Sequence, residues 1–233
     1  ESKVALESRY GINSDKVFVV PRGANLNREM LDRYWAEARR ESSRPTDPLR
    51  LVFVGKHPYR KGLDRLLEGL AKARARGGNL TLRVIGCAAE EVPGSAAAAV
   101  DGVEWVGFVD KAREALRFME WVGGCDVGCL LSRAEAGGIG LREYHALGLA
   151  VLGPQVGGSP DHVLDGASLL VRPEASTDEI AGILLDLDRD RAKVDAMKEE
   201  SRRRRKEVLW SESVRKMKEI METAVPSPAV GES

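Results

Sequence analysis

The chain of 233 residues lacks a charge surplus of either sign: 36 Lys and Arg balance 36 Asp and Glu. A general basic field for gripping nucleic acid is therefore not expected. Long apolar runs are missing as well, and none approaches the roughly 20 residues that cross a bilayer. The start, Glu1-Ser-Lys-Val-Ala-Leu-Glu7, is charged and amphipathic, and does not read as a secretory signal. A first residue other than Met reads as a processed or excised fragment. Cysteine is scarce: Cys87, Cys125 and Cys129 form no paired framework, and the three histidines lie elsewhere. Buried reduced thiols in a cytoplasmic protein are expected, rather than a disulfide scaffold or a metal site. Two phosphate signatures are absent too. There is no Gly-x-x-x-x-Gly-Lys-Ser/Thr loop and no Gly-x-Gly-x-x-Gly turn after the first strand, which excludes a Walker site and the dinucleotide fingerprint.

What is present is ordinary globular composition, with 43% hydrophobic and 31% charged residues. Short apolar runs at residues 17–20, 49–54, 80–85, 103–106, 127–131, 150–152 and 168–171 read as strands. Several are nearly continuous, as parallel strands covered on both faces require. Helical patterns lie between them. Leu63, Leu66, Leu67 and Leu70 share one face, as do Ile180, Ile183, Leu184 and Leu187. Ser176-Thr-Asp-Glu179 reads as a capping box. The alternation predicts an α/β doubly wound, Rossmann-like parallel sheet that closes with C-terminal helices. Residues 39–48 read as a surface loop, 96–99 as helix, and the last ten residues as a disordered tail. The run Arg202-Arg-Arg-Arg-Lys206 reads as a solvated helix face, because Glu199, Glu200 and Glu207 surround it.

In such sheets ligands bind beyond the carboxyl ends of the strands. Five consecutive strands end there in glycine-containing loops: at Gly55, Gly86 and Gly107, and at residues 132–140 and 153–160. The densest is Glu135-Ala-Gly-Gly-Ile-Gly-Leu-Arg-Glu143, where Gly137, Gly138, Ile139 and Gly140 turn a loop into a helix running to about Leu149. Free amides at a helix N-terminus suit phosphate. Glu143, one turn inside, is either an exposed helix residue or an acceptor for vicinal hydroxyls such as a ribose diol. Lys56 and Lys61, in Gly55-Lys-His-Pro-Tyr-Arg-Lys-Gly62, are placed to neutralise a diphosphate leaving group.

Together these residues resemble the retaining glycosyltransferases of family 4, GT-B fold, in their C-terminal donor domain. The likeness covers residues 17 to 223. Val19-Val-Pro-Arg-Gly-Ala24 resembles the family's opening segment, with Arg22 where Asn is usual. The Gly55 to Gly62 element keeps the family's glycine-to-lysine spacing, with Lys56 in place of Arg. Glu135 and Glu143 fit the family's Glu-x7-Glu motif, with Gly137 where an aromatic is usual. Gly157-Gly-Ser-Pro-Asp161 resembles its next turn, with Asp161 replacing Glu. Asp165-Gly166, residues 169–173 and Trp210 resemble its closing elements.

The resemblance implies a nucleotide diphosphate sugar, UDP- or GDP-linked, as donor substrate, with no cofactor and no metal. Lys56 and Lys61 would hold the diphosphate beside Gly55, and the amides of Gly138, Ile139 and Gly140 its distal phosphate. Glu143 would bind the ribose. Glu135 would contact the sugar and stabilise charge at its anomeric carbon, with Gly137 in the same loop. Phe108 and Val109 would face the base. Residues 1–223 would form the donor domain of a hexosyltransferase whose N-terminal acceptor domain is absent. An isolated, poorly active half is then expected, with the acceptor side supplied by that domain or by a partner chain. Any membrane contact would run peripherally through the absent half. A non-catalytic nucleotide-sugar-binding subunit and a nucleotide-sugar epimerase are the alternatives.

Overall fold

The computed structural model describes residues 2–37, 46–93 and 100–224. Six strands are formed among the described residues: β1 (Leu49–Val54), β2 (Leu80–Ile85), β3 (Val103–Gly107), β4 (Val127–Cys129), β5 (Ala150–Pro154) and β6 (Ser168–Val171). They pair in parallel in the order β3-β2-β1-β4-β5-β6. Every carboxyl end therefore opens on one rim, and the strand order reverses between β1 and β4. That reversal is where an open α/β sheet takes its ligands. The central strands are apolar on both faces, with Leu49, Leu51, Val52 and Phe53 of β1 all buried.

The helices among the described residues are α1 (Ser2–Tyr10), α2 (Arg28–Glu37), α3 (Pro58–Lys61), α4 (Leu63–Ala75), α5 (Ala115–Gly123), α6 (Ile139–Ala146), α7 (Thr177–Arg189), α8 (Arg191–Arg204) and α9 (Trp210–Ala224). The leucines of α4 and the apolar face of α7 are buried against each other and the sheet. Gly69 allows that approach, since a β-carbon there would lie 2.5 Å from a methyl of Ile180. Helix α7 starts at the expected capping box: Glu179 N–H donates to Ser176 Oγ at 3.2 Å, and Ser176 N–H donates to Glu179 at 2.8 Å. Helix α6 stops at Ala146, short of the expected end, because Gly148 turns left-handed at φ 79°.

Residues 17–20 form no strand, against expectation. Phe18 and Val19 are 52% and 51% exposed, and among the described residues no neighbouring strand meets them. β-branched and aromatic residues favour strands only where a sheet surface receives them. Strand β4 also ends two residues early. Leu130 N–H still donates to Leu152 O at 2.9 Å, but Leu131 N–H turns away to Lys61 O at 3.3 Å. Residues 38–45, 94–99 and 225–233 lie outside the described residues, and with them most of the expected loop, the alanine run and nearly all of the tail; Ala224 is the last residue of α9. Arg203 and Arg204 pair with Glu200 and Glu207, as the solvated-face reading requires.

The rim away from the cleft is closed by ions. Asp126, fully buried, accepts from Arg50 N–H at 3.1 Å, from the Arg50 guanidinium at 3.1 and 3.2 Å, and from Lys198 Nζ at 2.6 Å. Burial alone would raise its pKa. The bonds from Arg50 and Lys198 and the lysine's charge more than offset this, holding it below its ordinary 3.8.

Candidate functional site

The loops after β1 and β4 are built as one piece. His57 takes a left-handed turn at φ 61°, Pro58 starts α3, and Gly62 turns left-handed again at φ 74°. A β-carbon on Gly62 would run into the Leu131 carbonyl, so the two loops touch backbone to backbone. Arg133 fastens them. Its N–H donates to Arg60 O at 2.9 Å, and its guanidinium takes both oxygens of Asp64 at 2.7 and 2.6 Å. It also donates to Tyr59 O at 2.6 Å.

This clamp carries Lys61 Nζ to within 2.5 Å of Glu135 Oε2, with Ser132 Oγ donating to the same oxygen at 3.3 Å. Arg60 lies 3.9 Å away. Burial pushes the Glu135 carboxyl up, but the Lys61 bond and the charges of Lys61 and Arg60 overcome it. The net shift is below the ordinary 4.5, so Glu135 is a carboxylate at neutral pH.

The glycine-rich loop then enters α6. Gly138 is its N-cap at φ 44°, without a side-chain cap, so no side chain takes the first amides of the helix. Every residue from Leu141 to Ala146 is buried. Tyr144 packs its ring against Gly128, and its hydroxyl accepts from Val54 N–H at 2.9 Å, fixing the helix to the end of β1. Glu143, beside it, is 4% exposed and receives Lys111 Nζ at 2.6 Å. That ammonium also sits 4.3 Å above the Phe118 ring. Burial raises the Glu143 pKa above its ordinary 4.5, and Lys111 and Lys61 only partly counter it.

These elements enclose a cleft of about 420 Å³ beyond β1, β2 and β3. Of the expected site residues, Gly55, Lys56, Lys61, Phe108, Val109, Gly140 and Glu143 line it. Lys56 Nζ lies 4.5 Å above the exposed Phe108 ring. Glu135 reaches the cleft only through Lys61. Gly137, Gly138 and Ile139 form the turn above it and do not line it. Glu143 is not the exposed helix residue of one sequence reading. Lys111, Asp110 and Phe118 line the cleft although nothing in their spacing announced them.

The histidines do other work. His145 Nε2 accepts from Leu164 N–H at 3.1 Å, and Ser201 donates its hydroxyl proton to Leu149 O at 2.6 Å. His145 Nδ1, 2.7 Å from Ser201 Oγ, is therefore the protonated nitrogen. Burial lowers its pKa to about 3, with Arg142 and Arg204 adding to the effect. His162 holds Gly158 O at 2.8 Å. All three cysteines are buried and free. Burial raises the Cys87 and Cys125 thiols to about 11 and Cys129 further, which leaves them unreactive. Among the described residues no cluster of three His, Cys, Asp or Glu is placed to hold a metal, and no helix is long and apolar enough to cross a membrane.

The profile of the family described as glycosyl transferases group 1 matches residues 48–190, the span from the first strand of the sheet to the end of α7. The chain belongs to this family. Curated proteins offer no match. Solved structures share the fold of this group 1 glycosyltransferase chain at low identity. A glycosyltransferase from Rickettsia africae is 16% identical at a TM-score of 0.70, over 97% of this chain and 62% of that one. HepE from Anabaena in complex with UDP is 15% identical at 0.69, over 95% and 61%. The lipopolysaccharide outer core galactosyltransferase WaaB, in its apo form, is 17% identical at 0.71, over 96% and 60%. This group 1 chain thus spans about three fifths of the length of those proteins, with the Rossmann-like sheet of GT-B glycosyltransferases.

Proposed function

We propose that this chain is the donor-binding half, residues 1–223, of a retaining, metal-independent glycosyltransferase of family 4 that acts in the cytoplasm. It takes a UDP- or GDP-linked sugar and passes the glycosyl unit to an acceptor hydroxyl. The observation that carries this reading is one cleft, at the point where the strand order reverses, that holds Lys56, Lys61 and the buried Glu143 beneath a glycine-rich helix start. That HepE carries UDP in a similar fold is consistent with it.

Each role follows from the chemistry. Lys56 and Lys61 supply the positive charge that a departing diphosphate requires, the work a divalent cation does elsewhere. The amides of Gly138, Ile139 and Gly140 receive the distal phosphate. Gly55 has no side chain to block backbone approach, and Lys61 folds against it. Glu143 accepts the ribose hydroxyls, releasing Lys111 as it does so. Glu135, kept ionised by Lys61, faces the sugar from the loop of Gly137. Phe108 offers an exposed ring to the base beside Val109. The acceptor half lies outside this chain, as a further domain or a partner, so turnover by the chain alone is slow.

Calorimetric titration with UDP, GDP and ADP, without added metal, tests this. One nucleotide is expected to bind selectively. Glu143→Ala and Lys61→Ala are each expected to weaken it about tenfold or more, the worth of a charge-assisted hydrogen bond. Normal binding in both variants overturns the site.

A further inference from the structure

Two residues far apart in the sequence meet at the glycine-rich loop. The Arg22 guanidinium lies against Gly137 and fills the space a side chain at 137 would occupy, leaving no room for a β-carbon. Its backbone is held on both sides. Ser213 Oγ donates to Pro21 O at 2.7 Å, and Ala24 N–H donates to Val208 O at 2.7 Å. Gly23, between them, is wedged against the Trp210 backbone. The guanidinium is therefore presented by a fixed segment, above the loop assigned to the sugar.

Its neighbours in charge are already matched. Glu135, two residues before Gly137, is taken by Lys61 and approached by Arg60. Glu143 is taken by Lys111, and Asp110 is matched by Arg113. Arg22 is exposed, and no hydrogen bond or ion pair engages it among the described residues. Of the cations at the cleft and its loop, Lys61 and Arg60 lie on Glu135, Lys111 on Glu143 and Lys56 over the Phe108 ring, while Arg22 has no such partner among the described residues. A nucleoside diphosphate sugar brings two negative charges on its phosphates. With Lys56 and Lys61 assigned to those, Arg22 is left, a planar fork suited to a carboxylate.

We propose that Arg22 selects a donor whose sugar carries an acidic group, such as the C6 carboxylate of a hexuronic acid. The inference rests on reading the cleft as a nucleotide-sugar site and adds the substrate class. The Arg22 fork takes the carboxylate bidentately, while a neutral hexose leaves the guanidinium with only hydroxyls to bind.

Matched donors test it by calorimetry on the full chain: UDP-glucose against UDP-glucuronate, or GDP-mannose against GDP-mannuronate if guanosine is the base that binds. The acidic donor is expected to bind about tenfold tighter to the wild type. Arg22→Ala and Arg22→Gln remove that preference and leave the affinity for the bare nucleoside diphosphate within twofold. Arg22→Lys, which keeps charge and loses the fork, restores part of it. Equal binding of the two donors, with the nucleoside diphosphate itself bound, overturns the inference and leaves the site reading standing. Equal weakening of the bare diphosphate by Arg22→Ala places Arg22 on the phosphates and also overturns it. An Arg22-dependent affinity for glucuronate without nucleotide assigns the anion to the acceptor and overturns it as well. Absence of all nucleotide binding removes both readings together.

Discussion

The two rims of the sheet use the same chemical groups to opposite ends. Away from the cleft, Asp126 is enclosed by Arg50 and Lys198, and all of its bonds are internal. At the cleft, Glu143 is as deeply buried but holds one lysine on its open side. Their acidities separate accordingly: Asp126 is depressed and Glu143 raised. A carboxylate whose partners come from three directions fastens α8 to the sheet. A carboxylate with one exchangeable partner is available to a ligand.

The comparison breaks most visibly at Asp126. Asp126→Ala leaves Lys198 buried without a counter-charge, a situation that costs about 3–5 kcal/mol. The melting temperature is expected to fall by roughly 10 °C, given the 2–4 °C per kcal/mol of domains this size. A thermal scan that moves by a degree or less would deny the triad its structural role.

Acid separates the rims more finely. Asp126, depressed, contributes stability above its ordinary 3.8 that is lost as pH falls through its lower folded value. Glu143, raised, acts with the opposite sign: its contribution is full below 4.5 and is lost as pH climbs through the folded value. As pH falls toward and through the raised folded value its contribution to stability should hold or rise, while nucleotide affinity drops as the carboxylate beside Lys111 and Lys61 takes a proton. The terminal phosphate of free UDP also titrates, at roughly pH 6. Glu143→Gln keeps that titration, so its flatter affinity profile isolates the carboxylate. An unchanged profile would put the pH dependence elsewhere.

The smallest effect lies at Lys111. Its pair with Glu143 is open to solvent on the lysine side, and such pairs are worth about 1 kcal/mol or less. Lys111→Ala should tighten nucleotide binding about threefold. Weaker binding would mean that Lys111 itself touches the ligand.

The sheet was legible in the sequence because its six strands are short, mainly apolar runs that periodicity exposes, and Ser176 with Glu179 announced α7. The run at 17–20 misled for a definite reason: Phe18 and Val19 have strand-forming shapes but no neighbour to pair with. In the cleft, Lys56, Lys61 and Glu143 were legible through glycines that bend the chain around them. Lys111 was not, because a lysine meeting a carboxylate 32 positions later leaves no mark on local spacing. Arg22 and Gly137 were each visible as departures from the family 4 pattern, and only the fold placed one on the other.

Beyond its first two residues helix α6 has no outside. From Leu141 to Ala146 every position is committed to packing: Tyr144 to the end of β1, His145 to three partners, Arg142 to the carbonyls of Glu207 and Val208. A helix so enclosed can carry Glu143 but cannot be varied around it. On the donor-site reading proposed above, natural drift or a designer in search of a new sugar or base would work through the peripheral side chains Arg22, Phe108 and Lys111, which stand outside that helix.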